Sequence, residues 1–159
     1  MKNFSIFKIF LLLIVFILGC NYSYGQDIKS VMVKGETYAV TSSMVYKASN
    51  VISKTNFINK SHFTATPKND IGTVAKKVFP NERITSLKKT KDAVLINFYL
   101  DKEGKIQELS FNVSHAPNIT VDELKALEDY LLNNYSFDVT TKDTSSTYLV
   151  GIALWFNRL

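Results

Sequence analysis

The sequence predicts a single α+β domain, an antiparallel sheet with two helices packed on it. Three observations carry this. Val94, Ile96, Phe98 and Leu100 alternate into the turn Asp101-Lys102-Glu103-Gly104, and Lys105 to Val113 returns, the pattern of a hairpin. Two stretches, opening at Asp70 and Thr120, space their apolar residues for one helical face. The chain closes on an apolar run from Thr147 to Phe156. Residues 26–159 suffice for one core that buries roughly two-thirds of its unfolded surface and leave no room for two.

Residues ahead of that domain read as an export signal. Lys2 and Lys8 precede ten uninterrupted apolar residues, Ile9 to Leu18. A bilayer-spanning helix needs about 20, so the short run with small residues behind it fits a signal peptide. Two cuts compete. Ser23-Tyr24-Gly25 suits cleavage after Gly25, giving a signal over 1–25. Ile17-Leu18-Gly19-Cys20 suits a lipoprotein signal over 1–19, with Cys20 receiving the lipid. The protein is therefore expected outside the cytoplasm, periplasmic or at the outer membrane. It is soluble after the first cut and lipid-anchored after the second. Cys20 is the only cysteine, so an intramolecular disulfide is ruled out.

Val31 and Val33, then Tyr38 and Val40, alternate on either side of Lys34-Gly35-Glu36, where Gly35 can take positive φ. Met44 to Tyr46 adds a short strand. Residues 49–68 are polar and read as a long loop with one edge strand at most. Asn69-Asp70 caps a helix whose face is Ile71, Val74, Val78 and Phe79, and Pro80 ends it. Arg83 to Lys88 reads as a strand on Ile84 and Leu87.

In the central hairpin, Asp101 and Gly104 suit a type I turn followed by a left-handed residue. Ile106 falls out of register with Leu109, Phe111 and Val113, which predicts a bulge near Glu108. Thr120-Val121-Asp122-Glu123 is a capping box. Val121, Leu124, Leu127 and Leu131 form the buried stripe behind it, with Glu128 and Asp129 assigned to the polar face. The final strand is apolar on both faces, which places it inside a sheet or beside a dimer partner.

This order over residues 69–159 is helix, strand, strand, strand, helix, strand. With Asp101-Lys102-Glu103-Gly104-Lys105-Ile106 between alternating strands and the Thr120-capped helix, residues 93–159 resemble the C-terminal domain of TonB-type proteins. The resemblance implies a small α+β domain in an envelope protein that binds partner peptides by strand pairing. The energy-coupling members need an uncleaved anchor and a long proline-rich spanner. Only Pro67, Pro80 and Pro117 occur here, so the resemblance extends to the module and not to the transducing role.

Residues able to carry chemistry are sparse. His62 and His115 are the only histidines, and neither has clustered ligands in sequence. No phosphate-binding loop, nucleophile elbow or zinc-protease motif is present. No catalytic, cofactor-binding or metal-binding residue is assigned, and an enzyme is not expected. Loss of residues 1–25 removes Lys2 and Lys8 and no acid, taking the formal net charge from +5 to +3. The remaining lysines are scattered and form no basic stripe for nucleic acid. A membrane is met only through the lipid at Cys20.

Tyr148, Trp155 and Phe156 are the candidate partner-binding residues. Core packing is their competing assignment, because Trp155 shares a face with Gly151 and Ala153. The expected function is non-catalytic binding of a protein or peptide at the cell envelope by sheet-edge pairing. The alternative is a small-ligand or glycan-binding domain built on Tyr and Trp faces.

Overall fold

A computed structural model describes residues 27–52, 62–142 and 147–159. The signal, Cys20 and the middle of the 49–68 loop lie outside the described residues. The described residues form β1 (Lys29–Val33), β2 (Glu36–Val40), β3 (Met44–Lys47), β4 (Phe63–Pro67), α1 (Ile71–Val78), α2 (Asn81–Thr90), β5 (Ala93–Leu100), β6 (Ile106–His115), α3 (Val121–Asn134), β7 (Phe137–Thr141) and β8 (Tyr148–Trp155). Six strands make one antiparallel sheet in the order β1-β2-β3-β6-β5-β8, and β4 pairs with β7. The fold is α+β, as the sequence implied.

The hairpins follow from their turn residues. Lys34 and Gly35 both take positive φ, 49° and 82°, the geometry that matches the twist of a two-residue hairpin. At the second hairpin the Gly104 amide donates to the Asp101 carbonyl at 3.1 Å, and Gly104 has φ 78°. The Asp101 carboxylate accepts from the amides of Glu103 and Lys105. Leu100 pairs with Ile106 and Tyr99 with Glu108, so Gln107 is the extra residue. That bulge returns Ile106 to the buried side. Gly104 also tolerates no side chain, because a Cβ there would overlap the Phe137 carbonyl.

Arg83 to Lys88 is helical and not a strand. Ile84 and Leu87 are three apart, which puts them on one helical face, and both are buried. Pro80 precedes the first turn as its N-cap, and Lys91 closes the helix in the left-handed conformation at φ 56°. The module therefore runs helix, helix, strand, strand, helix, strand, strand, and β7 is an element the sequence did not suggest. α1 is capped by the Asp70 carboxylate, which accepts from the Thr73 amide at 2.7 Å.

One sheet face is covered by the helices. Val45, Ile96, Phe98, Leu109, Phe111 and Leu154 meet Val74, Leu124, Leu127 and Leu131 in the core. Phe98, Tyr135 and Phe137 pack ring on ring with centroids 5.1–5.5 Å apart. α3 begins with the expected capping box. Arg83 clamps that box, its guanidinium 2.5 and 3.0 Å from the two Glu123 oxygens and 2.5 Å from the Asn118 carbonyl.

The polar face assigned to Glu128 is corrected. Glu128 is 2 % exposed and accepts a short hydrogen bond from the Tyr38 hydroxyl. Beside it Lys125 reaches Glu36 at 3.0 Å and Asp129 at 2.5 Å, and Lys47 reaches Glu36 at 2.5 Å. These charges fasten α3 to the first hairpin.

Candidate functional site

β8 is uncharged over its eight residues, Tyr148-Leu149-Val150-Gly151-Ile152-Ala153-Leu154-Trp155. Among the described residues it pairs with β5 alone and is the last strand of the sheet. The sequence placed it inside a sheet or beside a second copy because both faces are apolar. Among the described residues it is an edge and not an inner strand, which leaves its outer face half open.

The ladder dictates which backbone groups point outward. The Phe156 amide donates to the Asp92 carbonyl at 3.2 Å, and Ala93 stands opposite Trp155. Hydrogen-bonded and non-bonded pairs alternate along an antiparallel ladder. Leu154, Ile152 and Val150 therefore bond to β5, while Gly151, Ala153 and Trp155 aim their amides and carbonyls at the free edge. Among the described residues no strand meets those groups. Natural edges are blunted by charges, prolines or bulges, and β8 has no charge and no proline.

Two of the three candidate partner-binding residues are corrected to core. Tyr148 and Phe156 are fully buried: Tyr148 packs on the Phe63 ring at 4.9 Å, and Phe156 meets Phe79 edge-on at 5.3 Å. Trp155 is different, being 40 % exposed, with the Arg158 guanidinium 5.2 Å from its ring centre. Period-two alternation separates it from its neighbours: even-numbered residues of this strand face the helices and odd-numbered ones face away. Leu95 lies on the same outer face, opposite Ala153, and is equally exposed.

A cleft of about 220 Å³ runs beside the edge, between β8 and the start of α1. Ala153, Leu154 and Trp155 form one wall, and Asp70, Ile71, Gly72 and Lys76 the other, with Arg158 and Leu159 at the end. Gly72 lets Leu159 approach the helix, since a Cβ at 72 would come within 2.9 Å of its side chain. The Asp70 carboxylate is engaged by the Thr73 amide and hydroxyl, and those hydrogen bonds hold its pKa below the ordinary value. Nothing in the sequence marks Gly72, Lys76 or Arg158 as site residues, and Asp70 is legible there only as the cap of α1. Their relation to β8 arises from the packing of α1 beside the edge strand, which no local pattern encodes.

The arrangement offers backbone donors and acceptors, an apolar wall and two cations. His62 and His115 are both exposed and stand apart from it. Among the described residues no group of three or more His, Cys, Asp or Glu is placed to hold a metal ion, and no helix is long and apolar enough to cross a membrane.

No family model matches the chain, and no curated protein does. The fold is similar to a crystal structure of a DUF5043 family protein from Bacteroides uniformis, with a TM-score of 0.58 at 15% identity. That likeness covers 81% of this chain and 90% of the other. At this identity it establishes the α+β architecture alone.

Proposed function

We propose that the protein is a non-catalytic binding domain of the bacterial cell envelope that takes an extended segment of a protein partner as a further strand beside β8. The observation that carries this reading is the uncharged edge whose outward amides at Gly151, Ala153 and Trp155 meet no strand among the described residues. Strand addition draws affinity from main-chain hydrogen bonds and selectivity from alternate side-chain sites. Trp155 and Leu95 supply the outer site, and the cleft beside α1 supplies the inner one. The envelope location rests on the signal-like residues 1–25, with the N-terminus at Gln26 or a lipidated Cys20. Intact mass of the mature form distinguishes the two cuts.

Ala153→Pro tests the edge. Its lost amide points outward, so the ladder to β5 keeps its hydrogen bonds while the ring blocks an incoming strand. Gly151→Lys is the second variant, placing a charge on the edge. Peptides selected on the wild-type chain should lose binding to both variants while thermal unfolding stays cooperative. Hydrogen exchange at 151, 153 and 155 should slow when peptide is bound. Unimpaired binding by both variants removes this reading. A glycan at Trp155 is the competing occupant, but Arg158 already covers a face of that ring.

A further inference from the structure

We infer that the strand entering beside β8 carries a carboxylate side chain opposite Leu154, seated in the cleft between Lys76 and Arg158. This deepens the edge-pairing reading and rests on it. Residues of an added strand that pair with Gly151, Ala153 and Trp155 share their outer face, whereas the residue opposite Leu154 points toward the helix layer. At that level the helix layer is the wall of the cleft formed by α1.

The charges there are unbalanced. Lys76 and Arg158 line the cleft, and neither forms an ion pair among the described residues. The one acid on the wall, Asp70, already accepts two hydrogen bonds from Thr73 as the cap of α1. An incoming carboxylate thus meets two cations against one acidic side chain, Asp70, whose charge Lys76 already attracts, while Arg158 lies over the Trp155 ring. A neutral side chain forgoes that attraction, and a lysine is repelled. Either cut of the signal leaves a formal net charge of +3, which favours encounter with acidic segments. On the outer face the flanking residues meet Trp155 and Leu95, so the recognised pattern is apolar, acidic, apolar.

Fluorescein-labelled peptides of sequence Thr-Val-Xaa-Val-Thr, with Glu, Gln or Lys at Xaa, test this on the full chain by anisotropy. The Glu peptide should bind about tenfold more tightly than Gln, with Lys weakest, and the gap should narrow as salt screens it. Lys76→Met with Arg158→Met should abolish the preference without loss of the fold, because both side chains are exposed. Equal binding of all three peptides, all lost on Ala153→Pro, overturns the carboxylate and leaves the edge reading standing. If none binds, both fall. Dimerisation that Ala153→Pro abolishes makes a second copy the occupant and also overturns the inference.

Discussion

The Tyr38 hydroxyl donates to the Glu128 carboxylate across 90 residues of sequence, joining the second strand to the last long helix inside a dry contact. A buried acceptor stripped of its donor carries its full desolvation penalty. Tyr38→Phe should therefore lower stability by about 1–3 kcal/mol. Denaturant unfolding checks this, and an unchanged midpoint means that Glu128 finds another donor.

Burial pushes the Glu128 pKa up, against the pull of the Tyr38 hydrogen bond and of Lys47 and Lys125. The folded chain then binds a proton at a pH where the unfolded chain has released it. Stability from this group is full below the unfolded value, about 4.3, and falls as pH rises through the raised one. Relative to Glu128→Gln, the wild type should lose stability between these values. A wild type that gains stability relative to Glu128→Gln as pH rises over that range contradicts the assignment.

Glu123 behaves in the opposite sense. Partial burial raises its pKa, but the Arg83 guanidinium and the Thr120 amide outweigh that and hold it below the ordinary carboxylate value. Its contribution is present above the unfolded value and is lost as pH falls through the folded one. Arg83→Met should flatten this acid limb, measured as unfolding midpoint against pH.

Glycine positions separate backbone strain from steric overlap. Gly35 has positive φ with open space around its Cβ position, so Gly35→Ala should cost about 1–2 kcal/mol from conformation alone. Gly104→Ala adds overlap with the Phe137 carbonyl and should cost clearly more. Equal losses by thermal unfolding would mean that β7 is not seated on the hairpin tip.

Core truncation and hydroxyl removal should diverge. Leu127 is fully buried, so Leu127→Ala should cost about 2–5 kcal/mol. The Tyr135 hydroxyl is buried without a hydrogen-bond partner among the described residues, and burial raises its pKa to about 12. Tyr135→Phe should leave stability unchanged or raise it by up to about 1 kcal/mol. A clear loss would reveal a partner for the oxygen.

Local signals carried much of the architecture. The Asp70 and Thr120 caps, the Lys34-Gly35 and Asp101–Gly104 turns and the bulge beside Glu108 all lie in short stretches whose chemistry is self-contained. α2 departs from the strand expected over Arg83 to Lys88 because its two apolar residues, Ile84 and Leu87, stand three apart, a separation that belongs to a helix. β7 offers only Phe137 and Val139 as alternating apolar residues among Asp and Thr, too short a signal to stand out. Glu128 was legible in principle: it lies four residues after Leu124 and three before Leu131, on the same side of the helix. What no window contains is sheet order. An apolar strand reads alike at the centre and at the margin, so the open edge and its cleft emerge only from the assembled fold.

Strand order also sets a mechanical geometry. β1 and β8 occupy opposite margins of the six-stranded sheet, about 24 Å apart at the usual strand spacing. A chain held by its N-terminus and gripped along β8 would be loaded across the ladders, which then open one after another like a zipper. The Tyr38–Glu128 and Lys125–Glu36 links tie the outer hairpin to α3, so they would act as the first brace against tearing from the tethered side.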